Sequence, residues 1–353
     1  MKGKNLALVM TAGMVMAVVS ACGNGGSSDA TTDASSEYVC SNPNADTMTD
    51  ISITGMPILS NSVLFAGADE GIFEKHGLKP KFEMVASPAA SVSSLAGGNS
   101  DFAWVTTINL LQAIEQGQKI RAVAPHAGVE PGFYDKMAAG EAGYERGINA
   151  LLVPDGSDIK EPADLAGKNV AVADPAFSQV LASSFIDMHG GNSQDVNFVI
   201  MAPADAYAAL LANKVDAAHS IEPFTMSYED DGLRNLGWLE VENFKEGALM
   251  SFMVASEDYV AGNADTVERL RCAMAEVTEF GNTHHDELRA VTAREQKTEP
   301  DAFDNSLVPY FFTSLENGNL DQVQNLMVKY GLLKAALPME DFLTPNVMKD
   351  ASE

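Results

Sequence analysis

Positive charge is scarce in this chain. Its 353 residues carry 22 Lys and Arg against 49 Asp and Glu, a formal net charge of −27. Nothing gathers the basic residues into a patch. Affinity for nucleic acid comes mainly from Lys and Arg on phosphates, so the composition argues against a polyanion partner. We read the acidity as a means of staying soluble outside the cell rather than as a device of ligand choice. Catalytic signatures are also missing: no G-x-S-x-G, H-E-x-x-H, C-x-x-C or G-x-x-x-x-G-K-[ST] occurs. His284-His285 is the one adjacent His pair, and neighbours on a helix diverge by about 100°, so a metal site there is disfavoured. We therefore expect no catalytic residue, no metal and no cofactor. Cysteine is rare, with three in the chain, and there is one long apolar run.

That run defines the N-terminus. Lys2 and Lys4 precede an apolar stretch from Leu6 to Val19, shorter than the ~20 residues of a membrane span but suited to a signal peptide. It ends in Val19-Ser20-Ala21-Cys22, which resembles the lipobox at which bacterial lipoproteins are cleaved and lipidated. The expectation is a signal peptide over 1–21, a lipid on Cys22, and a Gly-, Ser-, Thr- and Asp-rich flexible tether over 22–50. The protein would then be extracytoplasmic and membrane-anchored, on an envelope whose type stays open. Without Lys2 and Lys4 the mature chain is two charges more negative still.

Lipidation of Cys22 leaves Cys40 and Cys272 as a single possible pair in an oxidising compartment. Cys272 lies in a predicted helix with an apolar stripe of Val267, Leu270, Met274 and Val277, and falls roughly opposite it. That places Cys272 on an outer face, where Cys40 can clip the tail. A disulfide and two free thiols both remain open.

The most informative feature is an internal repeat. Val85-Ala-Ser-Pro-Ala-Ala-Ser-Val-Ser-Ser-Leu95 aligns without a gap to Ile200-Met-Ala-Pro-Ala-Asp-Ala-Tyr-Ala-Ala-Leu210. At the same offset of 115, Asp101 meets Asp216 and Ala103 meets Ala218. Upstream, Phe73-Glu-Lys-His-Gly77 matches Ile186-Asp-Met-His-Gly190, and Met56-Pro57 matches Asp174-Pro175. Each copy reads as strand, helix, strand, helix, strand. We place strands near 51–56, 80–86 and 102–105, then near 169–173, 196–201 and 217–221. Helices fall near 62–75 and 89–97, then near 178–189 and 204–213. Short apolar strands alternating with helices argue for parallel βαβ units, and a repeat of this length has the size of a lobe.

Open parallel sheets bind ligands beyond the carboxyl ends of their strands, where helix N-termini offer free N–H groups. Two facing lobes would aim equivalent loops into one cleft. The candidate ligand positions are Pro57, Ser60, Ser87, Thr106 and Thr107 from the first lobe and Asp174, Phe177, Ser178 and Glu222 from the second. The hydroxyls among them stand at helix starts, where N-capping is the competing role. Phe177 can cover a planar ligand or pack internally. Asp174 and Glu222 can bind an amine or stabilise a helix N-terminus.

Four segments carry a resemblance to a known family: Ala68-Asp-Glu-Gly-Ile-Phe-Glu-Lys-His-Gly-Leu78, Leu95-Ala-Gly-Gly-Asn-Ser-Asp-Phe-Ala103, Asp164-Leu-Ala-Gly-Lys-Asn-Val-Ala-Val172 and Asp216-Ala-Ala-His-Ser-Ile-Glu-Pro-Phe224. They resemble the SsuA-like solute-binding proteins of ABC transporters for nitrate, alkanesulfonates, taurine and thiamine-precursor pyrimidines, over roughly residues 51 to 260. The resemblance implies an α/β type 2 periplasmic-binding-protein fold, hinge closure around a small solute, and delivery to a membrane permease and its ATPase. It implies a first lobe of 51–155 and 248–353 and a second of 156–247, with crossings near Val153–Lys168 and Val241–Leu249. We expect a monomer. No Arg or Lys stands at the candidate loops, so the charges favour a neutral or amine-bearing solute such as an aminopyrimidine or amino-sulfonate. Two other readings stay open: a receptor lipoprotein feeding a sensor kinase, and a pyrimidine-synthase-like enzyme, whose Cys-rich motif is absent here.

Overall fold

The computed structural model describes residue 40, residues 46–315 and residues 319–349; the proposed signal peptide and Cys22 lie outside them. In chain order the strands are β1 (Thr49–Gly55), β2 (Leu78–Met84), β3 (Phe102–Thr106), β4 (Ile120–Pro125), β5 (Ala127–Val129), β6 (Ala150–Pro154) and β7 (Asn169–Val172). They continue as β8 (Asn197–Ile200), β9 (Ala217–Ser220), β10 (Leu233–Trp238), β11 (Ala248–Leu249), β12 (Ser251–Ser256) and β13 (Tyr310–Phe311).

Two five-stranded sheets repeat one plan. The first runs β2-β1-β3-β12-β4 and the second, read in the same sense, β8-β7-β9-β6-β10. Within each, the first three strands are parallel and come from one copy of the repeat. Ile53 lies opposite Phe102 in one sheet and Val170 opposite Ala217 in the other. The fourth strand is antiparallel in both. Its origin differs: β12 returns to the first sheet after the second is complete, whereas β6 opens the second sheet before its repeat begins. β6 therefore moves the lobe boundary. The first lobe ends before Ala150 rather than at 155, and the first crossing lies between β5 and β6, not near Val153–Lys168.

The strands pack as their alternation requires. In β3, Phe102 and Trp104 face one core with Ile51, Phe73 and Met274, while Ala103 and Val105 face the other. In β7, Val170 and Val172 enter that same second core and Ala171 faces away. This second core is continuous between the lobes through Phe244, Ala248 and Leu249. The helix Leu320–Lys329 packs on Thr107–Glu115 of the first lobe and Phe177–Met188 of the second. Just past its end, Tyr330 donates to Asp187 at 2.6 Å. The matched His-Gly pairs have a backbone cause: Gly77 (φ 66°) and Gly190 (φ 82°) both turn the chain in a left-handed conformation that favours glycine.

β5, β11 and β13 form a small third sheet where the chain passes between lobes. The tether is fixed before residue 50. β1 starts at Thr49, and Arg269 donates to the Thr47 carbonyl at 2.9 Å and to Thr49 Oγ1 at 2.8 Å. Cys40 is joined to Cys272 by a disulfide with the Cα atoms 5.6 Å apart. Cys272 is buried, 2% exposed, not on an outer face. The apolar stripe marks only one covered side of the helix Ala264–Thr283; the C-terminal segment covers another, where Asn346 donates to Glu268 at 2.6 Å.

Candidate functional site

Parallel strands place the candidate loops at one edge of each sheet. In the first lobe, Pro57 follows β1, and its carbonyl accepts from Gln296 Nε2 at 2.8 Å. Ser60 sits half-buried in the short 3-10 turn Leu59–Asn61. Ser87 caps the helix Pro88–Ala96, accepting from the Ala90 amide at 3.2 Å. Thr106 caps Thr107–Glu115, accepting from the Asn109 amide at 3.1 Å and donating to Asn109 Oδ1 at 2.6 Å. Thr107 is fully buried, and its hydroxyl donates to the Leu249 carbonyl at 2.7 Å. The structure thus places Thr107 as a brace between the first lobe and the returning chain.

In the second lobe, Asp174 is consumed locally. Its Oδ1 accepts from the amides of Ala176 at 2.9 Å and Phe177 at 2.6 Å, and its amide donates to Ser178 Oγ at 2.8 Å. Ser178 is buried and turns its hydroxyl back onto Asp174. Both act at the start of Phe177–Met188. Phe177 is half-buried against the shared core.

Glu222 is the candidate with the least expected surroundings. Its side chain is 6% exposed, and Arg146 Nη1 lies 3.3 Å from Oε1. The same oxygen accepts from the Leu307 amide at 3.2 Å. Burial raises the Glu222 pKa above the ordinary carboxylate range, opposed mainly by the Arg146 guanidinium. Arg146 also donates to the Thr225 carbonyl at 3.2 Å and to the Asn305 carbonyl. It ties the first crossing, the loop after β9 and the segment 297–309 together. The expectation that no Arg stands at the loops is corrected: a side chain 76 positions away in sequence occupies the place a bound amine would take.

Several polar groups were missed. Asn61 is fully buried, donating to the Met56 carbonyl at 2.9 Å while its Oδ1 has no partner. Among the described residues, Ser91 Oγ and Ser220 Oγ are likewise buried without a partner, while the Thr225 hydroxyl helps to stabilise the charged form of Glu222. Asn61 was signalled by its place between two serines at a helix start; Arg146 had no local signal. His219 is buried against Asn149, with Nε2 2.9 Å from Oδ1, and burial lowers its pKa to about 4, opposed by Asp174. Among the described residues, no group of three His, Cys, Asp or Glu is placed to hold a metal. A cavity of about 550 Å³ lies elsewhere, beside the crossings, and none of the nine candidates lines it.

Twin α/β lobes with mirrored sheets, joined by crossing strands, define the two-lobed periplasmic-binding-protein fold. Residues 139–287 match the family model described as NMT1/THI5 like. Solved structures share the fold. The alkanesulfonate-binding protein SsuA from Xanthomonas axonopodis pv. citri, bound to MOPS, superposes with a TM-score of 0.64 at 17% identity over 84% of this chain and 99% of its own. The nitrate-binding protein NrtA from Synechocystis PCC 6803 gives 0.65 at 13% identity, over 86% and 88%. A ligand-binding component of an ABC-type import system from Staphylococcus aureus, with zinc bound, gives 0.68 at 14% identity, over 86% and 99%. A curated binding protein of Brucella abortus (strain 2308) is 23% identical over 294 residues, covering 80% of this chain and 85% of its own. These neighbours are named as binding proteins.

Proposed function

We propose that this protein is the extracytoplasmic solute-binding component of an ABC importer, capturing a small organic solute between its lobes and presenting it to a permease. One observation carries the reading: at or just beyond the ends of parallel strands in both copies of the βαβ unit, Asn61, Ser91 and Ser220 hold buried polar atoms with no partner among the described residues. Such atoms cost free energy unless something bonds them. The named neighbours bind sulfonates and nitrate, which supports that solute range. Capture without chemical change is the activity we assign, and Cys22 the point of lipid attachment.

Pro57, Ser60, Ser87 and Phe177 remain the contacts we favour, joined by Asn61 and Ser220. Asp174, Ser178 and Thr107 act by holding those loops. With Glu222 paired to Arg146, an amine is no longer the favoured ligand group.

A thermal-shift screen of alkanesulfonates, taurine, nitrate and aminopyrimidines tests the function. A true ligand at 100 times its dissociation constant adds ~2.7 kcal/mol. Flat unfolding curves across all four classes would remove the reading. For the anchor, palmitate labelling in the expressing bacterium should be lost in Cys22→Ser.

A further inference from the structure

The cavity beside the crossings is built from parts that belong to both lobes. Its walls are Gly128–Glu130 at the end of β5, the approach to β6, the helix Leu239–Asn243, the turn between the helices Ala264–Thr283 and His285–Gln296, and residues 307–310 leading into β13. Its volume of about 550 Å³ falls within the ~300–1,000 Å³ of small-molecule sites.

The carboxylates in its wall are already used: Glu130 takes Lys136 Nζ at 2.6 Å and Tyr144 Oη at 2.9 Å, and Glu240 takes the amides of Ile148 and Asn149. His285 also lines it, and its charge is disfavoured by burial and by the neighbouring Arg289 guanidinium. The Asn282 amide is closed on Phe311 in both directions. Donors remain. Arg289 gives Nε to the Ser306 carbonyl at 2.9 Å and Nη1 to the fully exposed Asp286, and among the described residues Nη2 has no hydrogen-bond partner, though its charge is felt by Glu222. Tyr310 is half-buried, and its Oη has no hydrogen-bond partner among the described residues. Beside these donors stand the rings of Phe133 and Tyr144, packed edge to face with centroids 4.9 Å apart.

We propose that this cavity is a second binding site, for a small organic anion with a flat apolar body, such as an aromatic sulfonate or carboxylate. Arg289 Nη2 and Tyr310 Oη hold the anionic group, because a guanidinium and a hydroxyl supply charge-assisted donors to such oxygens. Phe133 and Tyr144 cover the apolar body. Since both crossings contribute walls, an occupant fixes the geometry on which lobe closure turns, and cleft and cavity then change each other's affinity equally.

Isothermal titration of the full chain with benzenesulfonate, and with benzylammonium as the opposite charge, tests this. Saturable one-to-one binding of benzenesulfonate alone is expected. Arg289→Gln should weaken it about 10-fold, the worth of one charge-assisted contact, and Tyr310→Phe severalfold, the latter with an unchanged melting midpoint. Arg289→Lys, which keeps the charge, should fall between. Phe177→Ala, in the cleft, should leave it unaltered. Absence of saturable binding would overturn the proposal. So would equal affinity in Arg289→Gln and Tyr310→Phe, or loss in Phe177→Ala, which would move the molecule to the cleft.

Discussion

At the residue scale, the decisive pair is Arg146 and Glu222. Removing one partner of a buried pair strands the other charge, at a cost of ~3–5 kcal/mol in full burial. Arg146 is a quarter exposed, so Arg146→Met should lose about 2 kcal/mol in urea unfolding. The double variant Arg146→Met with Glu222→Gln should recover most of it. Equal losses in single and double variants would show that the pair does not bear on stability. His219 sets a pH dependence of definite sign. Burial holds its pKa near 4, below the ordinary 6.5. Between those values the unfolded chain binds a proton that the folded one refuses, so stability present above pH 6.5 is lost as pH falls toward 4. Glu240 runs the other way: burial pushes its pKa up to about 7, so its contribution is greatest in acid and is lost as pH rises from the ordinary carboxylate range through 7. In His219→Gln, unfolding midpoints measured from pH 7 to 5 should fall less than in the natural protein. A parallel fall would assign the acid sensitivity elsewhere.

Among the elements, the helices behind the candidate loops differ in how they begin. Ser87 caps its helix with one bond, whereas Asp174 takes two amides and locks to Ser178. Losing a capping side chain costs ~0.5–2 kcal/mol, and Asp174, two residues before the cap position Ala176, serves two amides of that first turn. Asp174→Ala should therefore destabilise by about 2 kcal/mol and Ser87→Ala by about 1, in the same denaturant titration. Should Ser87→Ala impair solute binding while stability barely changes, its hydroxyl serves the ligand more than the helix.

On the scale of the whole molecule, the lobes are closed by chain exchanged between them. β12 completes the first sheet only after the second has been made, so the two lobes are covalently interleaved. The disulfide adds a further long closure, joining Cys40 to Cys272 across 232 positions. Closing so long a loop restricts the unfolded chain, and such bonds contribute ~2–4 kcal/mol. Unfolding in urea with and without reductant should differ by that amount, with the folded circular dichroism spectrum retained. An unchanged midpoint would show that the anchorage by Arg269 holds the tail without the disulfide.

The sequence by itself determined what is local or periodic. Strand alternation, helix starts at Ser87 and Asp174, the His-Gly turns and the order of both parallel units follow from neighbours along the chain, and the repeat states them twice. The tertiary structure decided what depends on distant segments meeting. β6 and β12 are antiparallel strands whose place follows from the partner they find, so the lobe boundary that the resemblance implied fell just after β6 rather than before it. Cys272 is buried off the stripe, on a helix side where Cys40 bonds to it and Glu268 meets Asn346 near the chain's end. Arg146 reaches Glu222 because the first crossing folds across the loop after β9. That meeting turned an apparent amine site into a neutral pair, since the charge a carboxylate offers depends on what is packed against it.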